Sequence, residues 1–139
     1  MQRSVRSLLD QTYSNLEIVV VDDASEDGTL DVVRSIGDPR VRWLRAETRG
    51  GAARARNIGL ASATGVYVTF QDADDVSHPE RIERQLAALL ARRGVVCVCN
   101  SCREGSDGRR VIVNGRRFTR SMISMLFPRE LVISRIGYM

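Results

Sequence analysis

The fold is decided by residues 16–23, Leu-Glu-Ile-Val-Val-Val-Asp-Asp. Their nearly continuous β-branched run is typical of a strand that is buried on both faces of a parallel sheet. A second strand of this kind is predicted at residues 66–70, and it runs into the sequence Asp-Ala-Asp-Asp at residues 72–75. Both predicted strands therefore end in an acidic turn.

Helices are predicted between and beside these strands, where apolar residues recur at helical spacing. The segments concerned are residues 4–11, 29–36, 52–63 and 79–92, and in the last of these Ile82, Leu86, Leu89 and Leu90 are expected to face inward. Further strands are expected at residues 41–45, 95–99 and 121–127, with a hairpin or exposed loop at 103–117 and a last helix opening at Pro128. This order predicts an α/β fold with a mostly parallel sheet flanked by helices.

The two acidic turns are expected at one edge of the sheet, because each follows the carboxyl end of a strand. Ligands of open α/β sheets bind beyond these ends. Crowded carboxylates repel one another unless a cation or hydrogen-bond donors compensate their charge. Carboxylate oxygens suit Mg²⁺ or Mn²⁺, and the pair Asp72 and Asp74 supplies two of them. Asp-rich turns also form for purely structural reasons, and that is the role expected of Asp75 and Ser77 before Pro79.

Charge is distributed unevenly along the 139 residues, a length that suits one domain. The net charge is +4, every basic residue is Arg, and residues 92–139 carry a balance of +7 against −3 for residues 1–91. The basic third can meet anionic lipid, a phosphorylated ligand or nucleic acid. No run approaches the ~20 apolar residues of a membrane span, and no signal peptide follows Met1. A cytoplasmic location is expected, with peripheral contact at the inner face of the membrane left open.

The composition also excludes several classes of protein. A phospho-receiver domain and a P-loop both need a Lys, and the chain has none. Cys97, Cys99 and Cys102 lie close in sequence, but a tetrahedral zinc site needs four ligands and the single His78 lies in another segment. The basic segment lacks the clustered aromatics of a nucleic-acid surface, so no nucleic-acid partner is expected.

Three ordered segments resemble the motifs of family 2 glycosyltransferases. They are residues 11–29, which contain the first acidic turn, residues 51–60, with the sequence Gly-Ala-Ala-Arg-Ala-Arg-Asn-Ile-Gly-Leu, and residues 67–82, which contain the Asp-x-Asp pair. The resemblance is strong over residues 4–92 and weaker over residues 121–138. It implies an incomplete fold of the GT-A type, the nucleotide-diphospho-sugar transferase fold.

The resemblance also implies a function in polysaccharide biosynthesis. The expected enzyme is a hexosyltransferase that inverts the anomeric carbon, takes a nucleotide-diphosphate sugar as donor, with UDP favoured, and acts on a glycan, lipid-linked or other acceptor. Asp23, with Asp22 nearby, is expected to bind the base or ribose. Asp72 is expected to face the ribose and, with Asp74, a Mn²⁺ or Mg²⁺ ion. Arg54 or Arg56 is expected to add positive charge at the diphosphate.

The resemblance divides the chain into a nucleotide-sugar-binding half at residues 1–92 and the start of an acceptor half at 93–139. Family members carry a strand before the first helix and a catalytic base after the segment matched at Gly137-Tyr138. Met1 falls inside the first helix, so that strand is missing here, and the base is expected beyond Met139. The chain alone is therefore expected to be weakly active or inactive. A non-catalytic sugar-nucleotide-binding fragment and a basic nucleic-acid-binding α/β module stay open as alternatives.

Overall fold

A computed structural model of the chain describes residues 1–93, 96–100, 102–104, 110–112 and 125–131. Helices and strands alternate from Gln2 to Val98, which confirms the predicted α/β class. In chain order they are α1 Gln2–Leu9, β1 Ile18–Asp22, α2 Thr29–Arg34, β2 Val41–Arg45, α3 Gly51–Ser62, β3 Tyr67–Thr69, α4 Arg81–Ala91, β4 Cys97–Val98, β5 Cys102–Glu104, β6 Arg110–Ile112, β7 Met125–Pro128 and α5 Arg129–Leu131. The segment matched at Gly137-Tyr138 lies outside the described residues.

The strands pair in three groups. β1 and β2 are parallel, with Ile18 opposite Val41 and Asp22 opposite Arg45. β7 lies between β3 and β4 and is antiparallel to both, so β3 and β4 run in the same direction. β5 and β6 form an antiparallel pair, which confirms the predicted hairpin over the described residues. The expected parallel arrangement therefore holds for β1 and β2 and for the relative direction of β3 and β4, with β7 running between the latter pair in the opposite direction.

Apolar packing joins the helices to these strands. Leu60 of α3 and Phe127 of β7 are almost fully buried, and the Phe127 ring lies 6.0 Å from that of Phe70. α3 also packs on β1. A Cβ at Gly59 of α3 would lie 3.3 Å from Cγ2 of Val21, so a glycine allows this close approach.

α4 begins at Arg81, two residues later than expected, and packs on β4 and β7. Ile82 and Leu89 are buried, as predicted, but the prediction that Leu90 faces inward is wrong, because this side chain is 58% exposed. Successive residues of a helix point about 100° apart, so Leu90 leaves the face that Leu89 buries. Only one side of α4 is covered by the described sheet.

Glu17, immediately before β1, ties the strand to the loop between α3 and β3. Its carboxylate accepts hydrogen bonds from the Thr64 amide, from the Thr64 hydroxyl at 2.8 Å and from the Gly65 amide at 2.7 Å, and it pairs with Arg42 at 2.8 Å. Partial burial acts to raise the pKa of Glu17, but the hydrogen bonds from Thr64, Gly65 and Arg42 together lower it to about 2. The charged form is therefore the one that stabilises the fold.

We expect the free energy of unfolding to fall as pH drops from about 4.5 to about 2, because the folded protein holds Glu17 ionised while the unfolded chain takes up the proton. The Glu17 side chain is 25% exposed, so screening leaves a contribution of about 1–2 kcal/mol. Urea unfolding at several pH values measures it. Glu17→Gln should flatten the profile in this window, whereas Glu47→Gln, at an exposed position, should not. Parallel profiles for wild type and Glu17→Gln would contradict this role.

Candidate functional site

The first acidic turn begins at Asp22, the last residue of β1, whose side chain is only 3% exposed. Its Oδ1 accepts a hydrogen bond of 3.0 Å from the Ser25 amide. Its Oδ2 lies 3.5 Å from Nε of Arg45 and has no hydrogen-bond partner among the described residues. A buried carboxylate oxygen without a donor carries a desolvation cost that a bound ligand can remove.

The Asp23 side chain, unlike that of Asp22, binds backbone amides of a distant segment. Its carboxylate accepts hydrogen bonds of 2.9 and 3.1 Å from the Gly50 amide and of 2.7 Å from the Gly51 amide, at the start of α3. Gly51 has φ of +82°, a left-handed conformation that glycine adopts without a Cβ clash. The Gly50 and Gly51 amides, followed by the charges of Arg54 and Arg49, lower the pKa of Asp23. Asp23 thus caps α3 with its carboxylate.

The second acidic turn follows β3 and is closed by a 3.2 Å hydrogen bond from the Asp75 amide to the Asp72 carbonyl. Asp72 forms an ion pair of 3.0 Å with Arg56, while Asp74 is exposed to solvent. Burial first, and then the charges of Asp72 and Asp74, raise the pKa of Asp75 against the opposing charge of Arg81. Negative charge is therefore concentrated on this turn, as expected for a turn that attracts a cation.

The two arginines proposed for the diphosphate point to different partners. Arg56 reaches Asp72 across the space between α3 and the second turn. Arg54 instead donates hydrogen bonds to the Thr48 carbonyl at 3.0 Å and to the Thr48 hydroxyl at 2.8 Å, close to the start of its own helix. Arg56 is therefore part of the acidic site as the structure has it, and Arg54 lies at its margin.

A cavity of about 200 Å³ brings the two turns together. The first turn contributes Asp22, Asp23 and Ser25, and the second contributes Ala73. The remaining lining is mainly aliphatic and comes from β1, α2 and the start of the chain: Met1, Val20, Val21, Thr29, Leu30 and Val33. The two turns border one cavity, although the strands that lead into them, β1 and β3, pair in different sheets and not in the single sheet that the sequence predicted.

Few of the described side chains are placed to coordinate a metal ion. Among the described residues there is no group of three or more His, Cys, Asp or Glu side chains that could hold an ion. Asp72 and Asp74 offer two carboxylates on one turn, and Mg²⁺ commonly binds one or two protein carboxylates and completes its shell with substrate phosphates and water. The turn therefore fits an ion that arrives with a phosphorylated ligand.

Sequence reasoning missed a polar face of α1. Ser4, Ser7 and Gln11 are buried, and they form hydrogen bonds with the segment that carries and follows the second acidic turn. The spacing of these three residues, i, i+3 and i+7, was available as a signal, because residues at this spacing share one face of a helix. The apolar residues of the same helix drew attention to Val5, Leu8 and Leu9 instead, and of these only Val5 is fully buried.

Comparison with known proteins decides the family. The model of Glycosyl transferase family 2 matches residues 1–135. The chain belongs to this glycosyltransferase family. A UDP-Glc:alpha-D-GlcNAc-diphosphoundecaprenol beta-1,3-glucosyltransferase of Escherichia coli is 40% identical over 87 residues, which cover 63% of this chain and 34% of the relative. The family 2 chain spans about a third of the length of the curated relatives it matches.

Solved structures agree with this membership. S. aureus TarS 1-349 is 27% identical with a TM-score of 0.82, covering 98% of this chain and 45% of that one. The mannosyltransferase PcManGT of Pyrobaculum calidifontis, solved with GDP-Man and Mn²⁺, has a TM-score of 0.73 at 24% identity, covering 97% and 42%. The family 2 chain therefore has the fold of GT-A glycosyltransferases, as predicted. Among the described helices, none has the length and apolar character needed to cross a membrane.

Ala24, in the first acidic turn, has φ of 54°, which costs a residue with a Cβ about 1–2 kcal/mol. We expect Ala24→Gly to stabilise the protein by about 0.5 kcal/mol, since relief of this strain exceeds the added freedom of the unfolded chain. Ala87→Gly, at an exposed position in the middle of α4, should destabilise it by about 1 kcal/mol. Urea unfolding measures both. A loss of stability in Ala24→Gly equal to that in Ala87→Gly would show that the turn is not strained.

Proposed function

We propose that this chain forms the nucleotide-sugar-binding part of an inverting glycosyltransferase that uses a nucleotide-diphosphate sugar with the help of a divalent metal ion. One observation carries the proposal: the buried Asp22 carboxylate, with one oxygen lacking a donor, lines a cavity that both acidic turns border. A ligand that donates a hydrogen bond to Asp22 and carries a phosphate near the second turn would interact with both ends of this cavity.

The nucleobase fits the end of the cavity formed by β1 and α2. Val20, Leu30 and Val33 offer aliphatic surface to a flat ring, and Asp22 accepts a hydrogen bond from a ring N–H. Uracil, thymine and guanine each carry such a donor, so this argument leaves the nucleotide open among UDP, dTDP and GDP. The E. coli relative is named for UDP-Glc, which favours UDP. Asp23 also lines the cavity and is proposed to lie beside the base or ribose while its carboxylate caps α3.

The diphosphate is assigned to the second turn. Asp72 and Asp74 would hold a Mn²⁺ or Mg²⁺ ion, and the chemistry that such an ion supplies when bound is neutralisation of the leaving diphosphate. Asp72 would also face the ribose. Arg56 is already within 3.0 Å of Asp72, so it is placed to share that charge. Arg54 is proposed to reach the diphosphate after releasing Thr48, since both hydrogen bonds to Thr48 are at the protein surface.

The reaction follows the family resemblance. A hydroxyl of the acceptor attacks the anomeric carbon, its proton passes to a catalytic base, and the bond from that carbon to the diphosphate oxygen breaks with inversion. The nucleotide-sugar-binding half is proposed at residues 1–92 and the start of the acceptor half at residues 93–139. The E. coli relative acts on a diphosphoundecaprenol-linked sugar, so a glycan or lipid-linked acceptor at the cytoplasmic membrane face is proposed here.

Titration with UDP, dTDP and GDP, with and without Mn²⁺, tests the donor site by calorimetry. We expect UDP to bind in the presence of Mn²⁺, and Asp22→Asn to weaken this binding by about tenfold or more, because a hydrogen bond to a charged group is lost. Asp74→Asn should abolish most of the gain that Mn²⁺ provides.

Asp31→Asn is the matched control, because Asp31 is an exposed aspartate of α2 whose described ion pair is with Arg34 on the protein surface. It should leave binding unchanged. Absence of binding for every nucleotide with Mn²⁺ or Mg²⁺ would contradict the proposed function. Binding without sugar transfer in the presence of an acceptor would instead assign the chain as a sugar-nucleotide-binding fragment.

A further inference from the structure

A hydrogen-bond network joins α1 to the second acidic turn. Gln71, the residue before Asp72, donates through Nε2 to the Ser4 carbonyl at 3.0 Å and to the Ser4 hydroxyl at 2.8 Å. Its Oε1 accepts a hydrogen bond from the Ser77 hydroxyl. The Ser4 hydroxyl in turn donates to the Asp72 carbonyl at 3.0 Å. Gln71 therefore connects both ends of the turn to one buried face of α1.

Ser7 completes this network. Its hydroxyl donates to the Ser4 carbonyl at 2.7 Å and accepts a hydrogen bond of 3.0 Å from the Ser77 amide. Ser4, Ser7 and Ser77 are each at most 9% exposed. Buried hydrogen bonds are directional, unlike apolar contacts, so they fix the orientation of the backbone that carries Asp72 and Asp74 as well as its position.

A second group of hydrogen bonds joins the residues that follow α1 to the start of α4 and does not involve the acidic turn. Gln11 donates to the His78 carbonyl at 2.7 Å and accepts from the Ile82 amide at 3.0 Å. The Thr12 amide donates to the Pro79 carbonyl at 2.9 Å. The chain thus offers two glutamines on the same interface, the buried Gln11 and the partly buried Gln71, of which only Gln71 contacts the turn.

We propose that Gln71, acting through Ser4 and Ser7, is a positioning residue that sets the geometry of the Asp72–Asp75 turn for the metal-bound diphosphate. This inference rests on the proposed function for the identity of the ligand. Partners in the outer shell of a metal site orient its ligands, and their loss commonly costs about tenfold or more in metal affinity. The Ser4 hydroxyl binds the backbone carbonyl of Asp72 and leaves the Asp72 carboxylate facing Arg56. The network therefore supports Asp72 from outside the proposed metal shell.

The variants Gln71→Ala and Ser4→Ala test the proposal, with Gln11→Ala as the matched control. In ligand-free protein, amide exchange measured by NMR should become faster at Asp75 in Gln71→Ala and Ser4→Ala, because the Asp75 amide closes the turn. In Gln11→Ala, exchange should become faster at Ile82 and stay unchanged at Asp75. Ser4→Ala removes one hydroxyl and keeps the Ser4 carbonyl, so it supplies the answer if Gln71→Ala does not fold.

Calorimetry of UDP with and without Mn²⁺ gives the second readout. Gln71→Ala should reduce the Mn²⁺-dependent gain in UDP affinity by about tenfold and Ser4→Ala by a smaller factor. Gln11→Ala should lower the melting temperature without changing the gain. Equal exchange at Asp75 in all four proteins, or an equal Mn²⁺ gain in folded Gln71→Ala and wild type, would overturn the positioning role.

The two measurements distinguish failure of the proposed function from failure of the positioning role. If wild type binds no nucleoside diphosphate with Mn²⁺, the ligand assignment fails while faster exchange at Asp75 in Gln71→Ala still supports control of the turn by Gln71. If wild type binds and the variants match it in both measurements, the donor site stands and the network is structural only.

Discussion

Like charge is concentrated where β1 and β3 end, because Asp22, Asp23, Asp72 and Asp74 lie on two turns that border one cavity. The structure compensates these carboxylates by different means. Asp23 is held by two backbone amides at the start of α3, and Asp72 by the guanidinium of Arg56. Asp22 keeps one buried oxygen without a hydrogen bond, and Asp74 remains exposed. The compensation is therefore incomplete at the two positions where a ligand can complete it.

Helices α1 and α3 both hold the acidic turns in place. α3 packs on β1 through Gly59. The backbone amides at its start bind the Asp23 carboxylate, and its Arg56 side chain forms an ion pair with Asp72 in the second turn. α1 contacts the second turn through a buried polar face. A site of this kind depends on the supporting groups as much as on the acids, because carboxylates that repel each other would otherwise move apart.

The sequence was sufficient for the order of elements and for the convergence of the acidic turns. Both follow from local patterns, namely β-branched runs that end in Asp and helices between them. It was insufficient for the partners of individual side chains. Nothing local distinguishes Asp22 from Asp23, yet one is buried and the other caps a helix that starts at Gly51, far along the chain. Arg54 and Arg56 are two residues apart on one helix, and the direction in which each leaves the helix decides which reaches Asp72.

The polar face of α1 shows the same limit. A buried serine or glutamine is favourable only where a partner exists, and the partners of Ser4 and Ser7 lie more than 60 residues away in sequence. Leu90 illustrates the converse, since helical periodicity identifies apolar residues but does not say how wide a face the sheet will cover. Family membership supplies what these patterns leave open about ligand chemistry, and the geometry of the cavity supplies where that chemistry can occur.

Paramagnetic broadening of amide signals by Mn²⁺ in the presence of UDP tests most directly whether the two turns border one site for the metal-bound nucleotide. If they do, the NMR signals of residues 22–25 and 72–75 broaden together at the same Mn²⁺ concentration, and replacing Mn²⁺ by diamagnetic Mg²⁺ restores them. Broadening confined to one turn, or strongest around Asp38 at the opposite end of the β1–β2 pair, would contradict the account.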